Sequence, residues 1–176
     1  MVGATLVRRS GAWKGEVVSS GDGKGSDNPG VVAPPPLIYA AGLTAGLLAN
    51  RLRPTPLLPK ALSKVLGWPL VVGGLSLGLW GFREMRRAGT NVDPYEPATA
   101  IVTGGPYRFT RNPIYVGFTL VYVGISAFTN ALAPLMLLPA VFAVMRRGVI
   151  EREERYLERK FGGEYLEYKG RVRRWI

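Results

Sequence analysis

Four apolar stretches, at about 33–50, 62–82, 113–128 and 131–145, alternate along the chain with basic and proline-rich connections. The first carries no charge until Arg51 and Arg53 close it, and Pro34, Pro35 and Pro36 stand at its start, where a helix tolerates proline. It falls slightly short of the roughly 20 residues a bilayer crossing needs. The second is rich in Leu, Val and Gly and emerges at Arg83-Glu84-Met85-Arg86-Arg87. Gly74, Gly78 and Gly81 put small residues on one side of it, as close helix packing in lipid favours. Thr129-Asn130 alone separates the third stretch from the fourth, and no charge occurs between Arg111 and Arg146. Either arm alone would serve as a core helix, but an uncharged pair joined by so short a turn reads as a helical hairpin in lipid. The expected architecture is all-α: a polytopic membrane helix bundle of about four transmembrane helices, with a cytosolic C-terminal helical arm.

The polar portions differ from one another. Gly, Ser, Asp and Lys dominate residues 19–30, so 1–30 reads as a disordered tail ahead of a membrane domain over 31–176. Arg8-Arg9 is followed by no apolar core, so no export signal is expected there. Residues 88–111 form one long connection whose Tyr, Ile and Val content argues for a functional loop, with a short extended piece at 99–102. Residues 146–161 continue the fourth helix out of the membrane. On a helical period counted from Ile150, Glu153, Glu154, Leu157 and Phe161 share one face, while Glu151 and Arg155 form an i, i+4 pair on another. A carboxylate on an apolar stripe is costly unless partnered. The partner is an arginine of the long loop, Arg108 or Arg111, or a cationic or hydroxyl-rich ligand, and both fit if arginine and ligand share the site. Gly162-Gly163 breaks the helix, and the basic, aromatic stretch 169–176 reads as a membrane-surface anchor or as a closure of the site.

Charge supplies an orientation. The net charge of +11 comes from 23 Lys and Arg against 12 Asp and Glu. Four of the basic residues (Arg51, Arg53, Lys60, Lys64) fall in the first turn, none at Thr129-Asn130, and the other 19 in the tail, the long loop and the C-terminal region. That asymmetry turns the loop and the C-terminus toward the cytosol, with basic residues against anionic headgroups. It explains the charge without a nucleic-acid partner. The chain has no cysteine and no histidine, which excludes thiolate metal sites, disulfides, cysteine nucleophiles and Ser-His-Asp chemistry. No metal is expected. Catalysis here must run on carboxylates, tyrosines, arginines, backbone groups and a borrowed reagent.

The run at 104–117, GGPYRFTRNPIYVG, leads from glycine-rich loop straight into the third apolar stretch. Together with Glu153 and Glu154 it reads as a holder for a small polar cofactor at the membrane surface. Gly105-Pro106-Tyr107, Arg111-Asn112-Pro113-x-Tyr115-x-Gly117, Glu153-Glu154-x-x-Leu157-x-x-x-Phe161-Gly162 and the Val172-x-Arg174-Trp175 ending resemble the isoprenylcysteine carboxyl methyltransferase and phospholipid methyltransferase superfamily, over roughly residue 62 to the end. The resemblance implies S-adenosyl-L-methionine as methyl donor and a lipophilic acceptor arriving from the bilayer. It places Gly104, Gly105, Tyr107, Asn112, Pro113 and Tyr115 around the cofactor, with Glu153 and Glu154 completing the cleft. Arg111 suits the cofactor's carboxylate, and Arg174 lies beside the acceptor, so that Tyr115, Glu154 and Arg174 stand nearest the reaction. The carboxyl-methylating branch typically has Arg-His-Pro where this chain has Arg111-Asn112-Pro113, so the motif is closer to the phospholipid branch. Two further readings are an NADPH-dependent membrane reductase, since the sterol-reductase group has a similar C-terminal region, and a non-catalytic membrane protein that keeps the fold.

Overall fold

A computed structural model describes residues 27–175, and among these every regular element is helical. Helices α1 (Pro35–Leu52), α2 (Lys60–Arg87), α3 (Pro113–Phe128) and α4 (Leu132–Met145) correspond to the four apolar stretches, and α5 (Glu151–Phe161) and α6 (Gly163–Arg171) form the C-terminal arm. Residues 99–102 are irregular, not a strand. Of the tail expected over 1–30, residues 1–26, with Arg8 and Arg9, lie outside the described residues; 27–30 lie against α5, where Arg152 Nη1 donates to Gly30 O at 2.8 Å.

Two helices among the described residues are long and apolar enough to cross a membrane: α2, and the continuous helix Leu132–Phe161. In the latter the charge-free part ends at Met145, and α5 lies beyond it. Helix α3 is apolar but shorter, and α1, at 18 residues, is not among the candidates.

Packing follows from residue size. α2 lies along α3, and α1 along α4. Glycines seven apart on α2, Gly67, Gly74 and Gly81, meet α3 at Phe128, Gly117 and Ile114, so the pair is antiparallel. A Cβ on Gly74 would sit 2.6 Å from Gly117 O, and one on Gly124 would sit 2.7 Å from Val71 N. The backbones therefore touch, which is how helices associate where lipid supplies no hydrophobic drive. Gly78 belongs to this seam only as a neighbour of Gly117, because its own Cβ would meet open space. Between α1, α3 and α4 the core is built on Tyr39, Tyr122, Val141, Met145 and Val149. The Tyr122 hydroxyl donates to Pro134 O at 2.7 Å, so this buried phenol is satisfied.

The two short turns lie together. Asn130 adopts a left-handed conformation (φ 53°), one that asparagine tolerates better than most residues. Its Oδ1 accepts from Leu57 N and Leu58 N at 2.9 and 2.8 Å, and Leu132 N donates to Thr55 O at 3.0 Å. The 88–112 loop, α5 and α6 occupy the opposite end, joined there by residues 27–34. Between α4 and α5 the helix passes through one π-turn, Arg146–Ile150. Its i, i+5 register brings Glu151 to Arg146 Nε at 2.9 Å, where the sequence suggested Arg155.

Candidate active site

The long loop is folded, not slack. Thr99 Oγ1 donates to Gly89 O at 2.7 Å and Asn91 Nδ2 to Pro97 O at 3.0 Å, closing residues 89–99 on themselves. The chain then reaches Gly105, whose φ of +55° suits glycine and whose Cβ would lie 2.6 Å from Glu84 Cγ. Gly105 is thus seated on α2. A 3-10 turn, Gly105–Arg108, follows, and Asn112 with Pro113 opens α3, proline standing at the first helical position.

The C-terminal segment is bonded across this loop. Arg111 N donates to Arg173 O at 2.9 Å, and Thr110 Oγ1 and Asn112 Nδ2 both donate to Arg174 O at 3.0 Å. The Arg111 guanidinium is largely spent within the protein. Nη1 donates to Lys169 O and Val172 O at the end of α6, each at 2.9 Å, and Nη2 donates to Glu154 Oε1 at 2.9 Å. Arg174 meets the same carboxylate through Nε (3.0 Å) and Nη2 (2.5 Å). Glu154 is 6% exposed. Burial alone would raise its carboxyl, but the hydrogen bonds and charges of Arg174 and Arg111 outweigh that and hold it below the ordinary carboxylate range. The structure thus takes the arginine option for Glu154.

Glu153, one residue earlier, does something else. It faces a cavity of 540 Å³, within the usual range of roughly 300–1,000 Å³ for small-molecule sites. The Tyr115 hydroxyl donates to Glu153 Oε1 at 2.7 Å. Desolvation pushes the Glu153 carboxyl up to about 7, with the Tyr115 bond pulling against the rise and the Glu154 charge adding to it. Arg111 also lines the cavity, and its buried Nε is without a hydrogen-bond partner among the described residues. A buried donor left unmet costs about 1–3 kcal/mol.

Six residues singled out from the sequence come together on the wall: Tyr107, Arg111, Asn112, Pro113, Tyr115 and Glu153. Gly104, Gly105, Glu154 and Arg174 do not line it. Gly105 fixes the loop on α2, and Glu154 with Arg174 holds Arg111 from behind. Sequence reasoning did not single out Asp93 and Glu96 of the loop, Phe82 and Met85 at the end of α2, or Tyr156, all of which line the cavity. Tyr156 was within reach, being three residues past Glu153 on a helix; the loop acids carried no periodic signal.

A helical bundle able to cross a membrane, with a cavity of mixed acidic and basic wall at one end, defines the general class. Residues 62–164, more than half of the chain, match the model of the phospholipid methyltransferase family. The chain belongs to that family. It is 41% identical over 72 residues to the cobalt-zinc-cadmium resistance protein CzcN of Cupriavidus metallidurans, a match covering 41% of this chain and 33% of that protein. It is 36% identical over 75 residues to the nickel-cobalt-cadmium resistance protein NccN of Alcaligenes xylosoxydans xylosoxydans, covering 43% and 35%. An uncharacterized protein of Haemophilus influenzae is 36% identical over 63 residues, covering 36% of this chain and 79% of its own length. The chain thus spans about a third of the length of the two metal-resistance relatives.

Proposed function

We propose that the protein transfers a methyl group from S-adenosyl-L-methionine to a lipid or lipophilic small molecule at the cytosolic face of a membrane. One observation carries the reading. A single cavity is lined by the Arg111 side chain and, elsewhere on its wall, by a tyrosine-bonded glutamate. Such a wall fits a ligand bearing both a carboxylate and a positive centre. The charges of the wall therefore suit the cofactor that the family implies: Arg111 for its carboxylate, and Glu153 for its ammonium or ribose hydroxyls.

When bound, that cofactor supplies a methyl group already activated on a sulfonium, so transfer needs neither a metal nor a covalent enzyme intermediate. The residues of this chain supply position and exclusion of water. Tyr115 and Glu153 fix the acidic wall, Tyr107 and Asn112 shape the loop side, and Glu154 with Arg174 keeps Arg111 in place. Phe82, Ile114 and Phe118 give the same cavity an apolar side suited to an acyl or prenyl chain. A carboxylate acceptor requires no base. An amine acceptor must lose a proton, to water or to a carboxylate of the wall.

Four crossings are the topology this reading takes, with the loop and C-terminal arm in the cytosol. Both short turns lying at one end, and the 88–112 loop with α5 and α6 at the other, support it. So does the basic bias of that second end. Mass spectrometry of total lipids from cells with and without the gene tests the activity. The expected result is a species, heavier by one CH₂ per methyl added, that disappears with the gene. Identical lipid profiles in the two strains, with the protein expressed, would contradict a lipid acceptor.

A further inference from the structure

Tyr156 lies on α5 one turn past Glu153 and is buried, with its ring against the cavity. Its hydroxyl does other work. It accepts from Ala98 N at 3.1 Å and from Lys160 Nζ at 2.9 Å. It donates to Asp27, whose Oδ1 and backbone O lie at 3.0 and 3.2 Å. A phenol has one proton and two lone pairs, so this hydroxyl is fully used. What it joins matters more than how many bonds it makes. Ala98 closes the loop whose Asp93 and Glu96 form one side of the cavity. Asp27 belongs to the segment whose Pro29 and Pro34–Pro36 form another.

The N-terminal segment is held unevenly. At its far end Val31 is buried in the core, and Val32 N donates to Gly148 O at 3.1 Å. Over residues 27–30 two ties are exposed: Lys160 Nζ to Asp27 Oδ2 at 2.7 Å, and Arg152 Nη1 to Gly30 O at 2.8 Å. Exposed pairs of this kind contribute little on their own. The buried hydroxyl of Tyr156 is the exception, and it alone of these groups also grips the loop.

We propose that Tyr156 is a positioning residue that clasps the N-terminal segment to the α2–α3 loop over the cavity, and so sets how fast the cofactor enters and leaves. The inference rests on reading the cavity as the cofactor site. Val31 is the fixed end about which residues 27–30 lift. Segments with few buried apolar contacts open locally without global unfolding, so losing the one shared hydroxyl loosens both walls.

The test compares the full-length protein with its Tyr156→Phe and Asp27→Ala variants in lipid nanodiscs. Amide hydrogen exchange is followed over residues 28–32 and 95–99 without cofactor, and the release rate of S-adenosylmethionine is measured separately. Tyr156→Phe keeps the ring, so the fold is retained. It should speed exchange in both segments about five- to tenfold, the equivalent of one hydrogen bond. Asp27→Ala should do so over 28–32 alone. Both variants should release the cofactor faster by a similar factor. Faster exchange in Tyr156→Phe confined to α5, or spread evenly over the whole protein, would make Tyr156 merely structural and overturn the proposal. Where the wild type binds the cofactor, release from Tyr156→Phe at the wild-type rate would overturn it too. If the wild type does not bind S-adenosylmethionine, the cofactor reading fails, while the two-segment exchange pattern still decides whether the clasp exists.

Discussion

Adjacent glutamates with different partners separate the two functions that a carboxylate can have here. Glu154 sits between Arg111 and Arg174, and Glu153 faces the cavity under the Tyr115 hydroxyl. Glu154→Ala leaves two arginines facing a void, and breaking a buried pair from one side costs about 3–5 kcal/mol. A lowered denaturation midpoint in detergent is the expected result, together with weaker cofactor binding because Arg111 loses its support. Glu153→Ala should weaken S-adenosylmethionine binding without that loss of stability. Glu151→Ala, whose partner Arg146 is exposed, should do neither. The Glu153 carboxyl also gives pH effects of opposite sign. Its folded pKa, about 7, lies above the ordinary 4.5, so its favourable contribution is complete below the ordinary value and is lost as pH rises through about 7. Unliganded stability should therefore fall over that range while affinity for a cationic ligand increases, and Glu153→Gln should flatten both slopes. That the two acids differ was not legible in the sequence. Neighbours on a helix lie about 100° apart and both border the same stripe, so only the arginines, more than 40 positions away for Arg111, decide between them.

At the level of elements, the glycine seam between α2 and α3 is the most exposed to mutation. Gly74→Ala would drive a methyl into Gly117 O and Val121 N, backbone atoms that cannot turn aside, and overpacking of this kind costs about 1–3 kcal/mol. Gly73→Ala meets open space and should leave thermal stability unchanged or slightly raised. Scanning both in the same detergent by thermal unfolding checks the pair, and equal losses would contradict the seam. The four apolar helices, the Thr129-Asn130 turn and the break at Gly162 were readable from charge-free runs and from glycine. The seven-residue glycine spacing was present in the sequence, yet closer pairs drew attention to Gly78, which faces open space. The π-turn and the docking of 27–30 on α5 were hidden for a physical reason. One depends on a single misplaced backbone bond, and the other on contacts across more than 120 residues.

For the whole molecule, sidedness and cofactor remain the decisive properties. The natural absence of cysteine makes sidedness direct to measure, since Arg53→Cys and Arg159→Cys each introduce one exposed thiol. A membrane-impermeant maleimide added to intact cells should label the first and spare the second, and the reverse pattern would invert the topology. The central claim is that the space between the 88–112 loop and α5 takes a sulfonium cofactor. Titration calorimetry of the purified protein with S-adenosylmethionine and with NADPH tests it most directly. The account predicts saturable binding of S-adenosylmethionine, weakened by Glu153→Ala and unaffected by Glu151→Ala, with no binding of NADPH. NADPH binding without S-adenosylmethionine binding, or equal effects of the two substitutions, would contradict it.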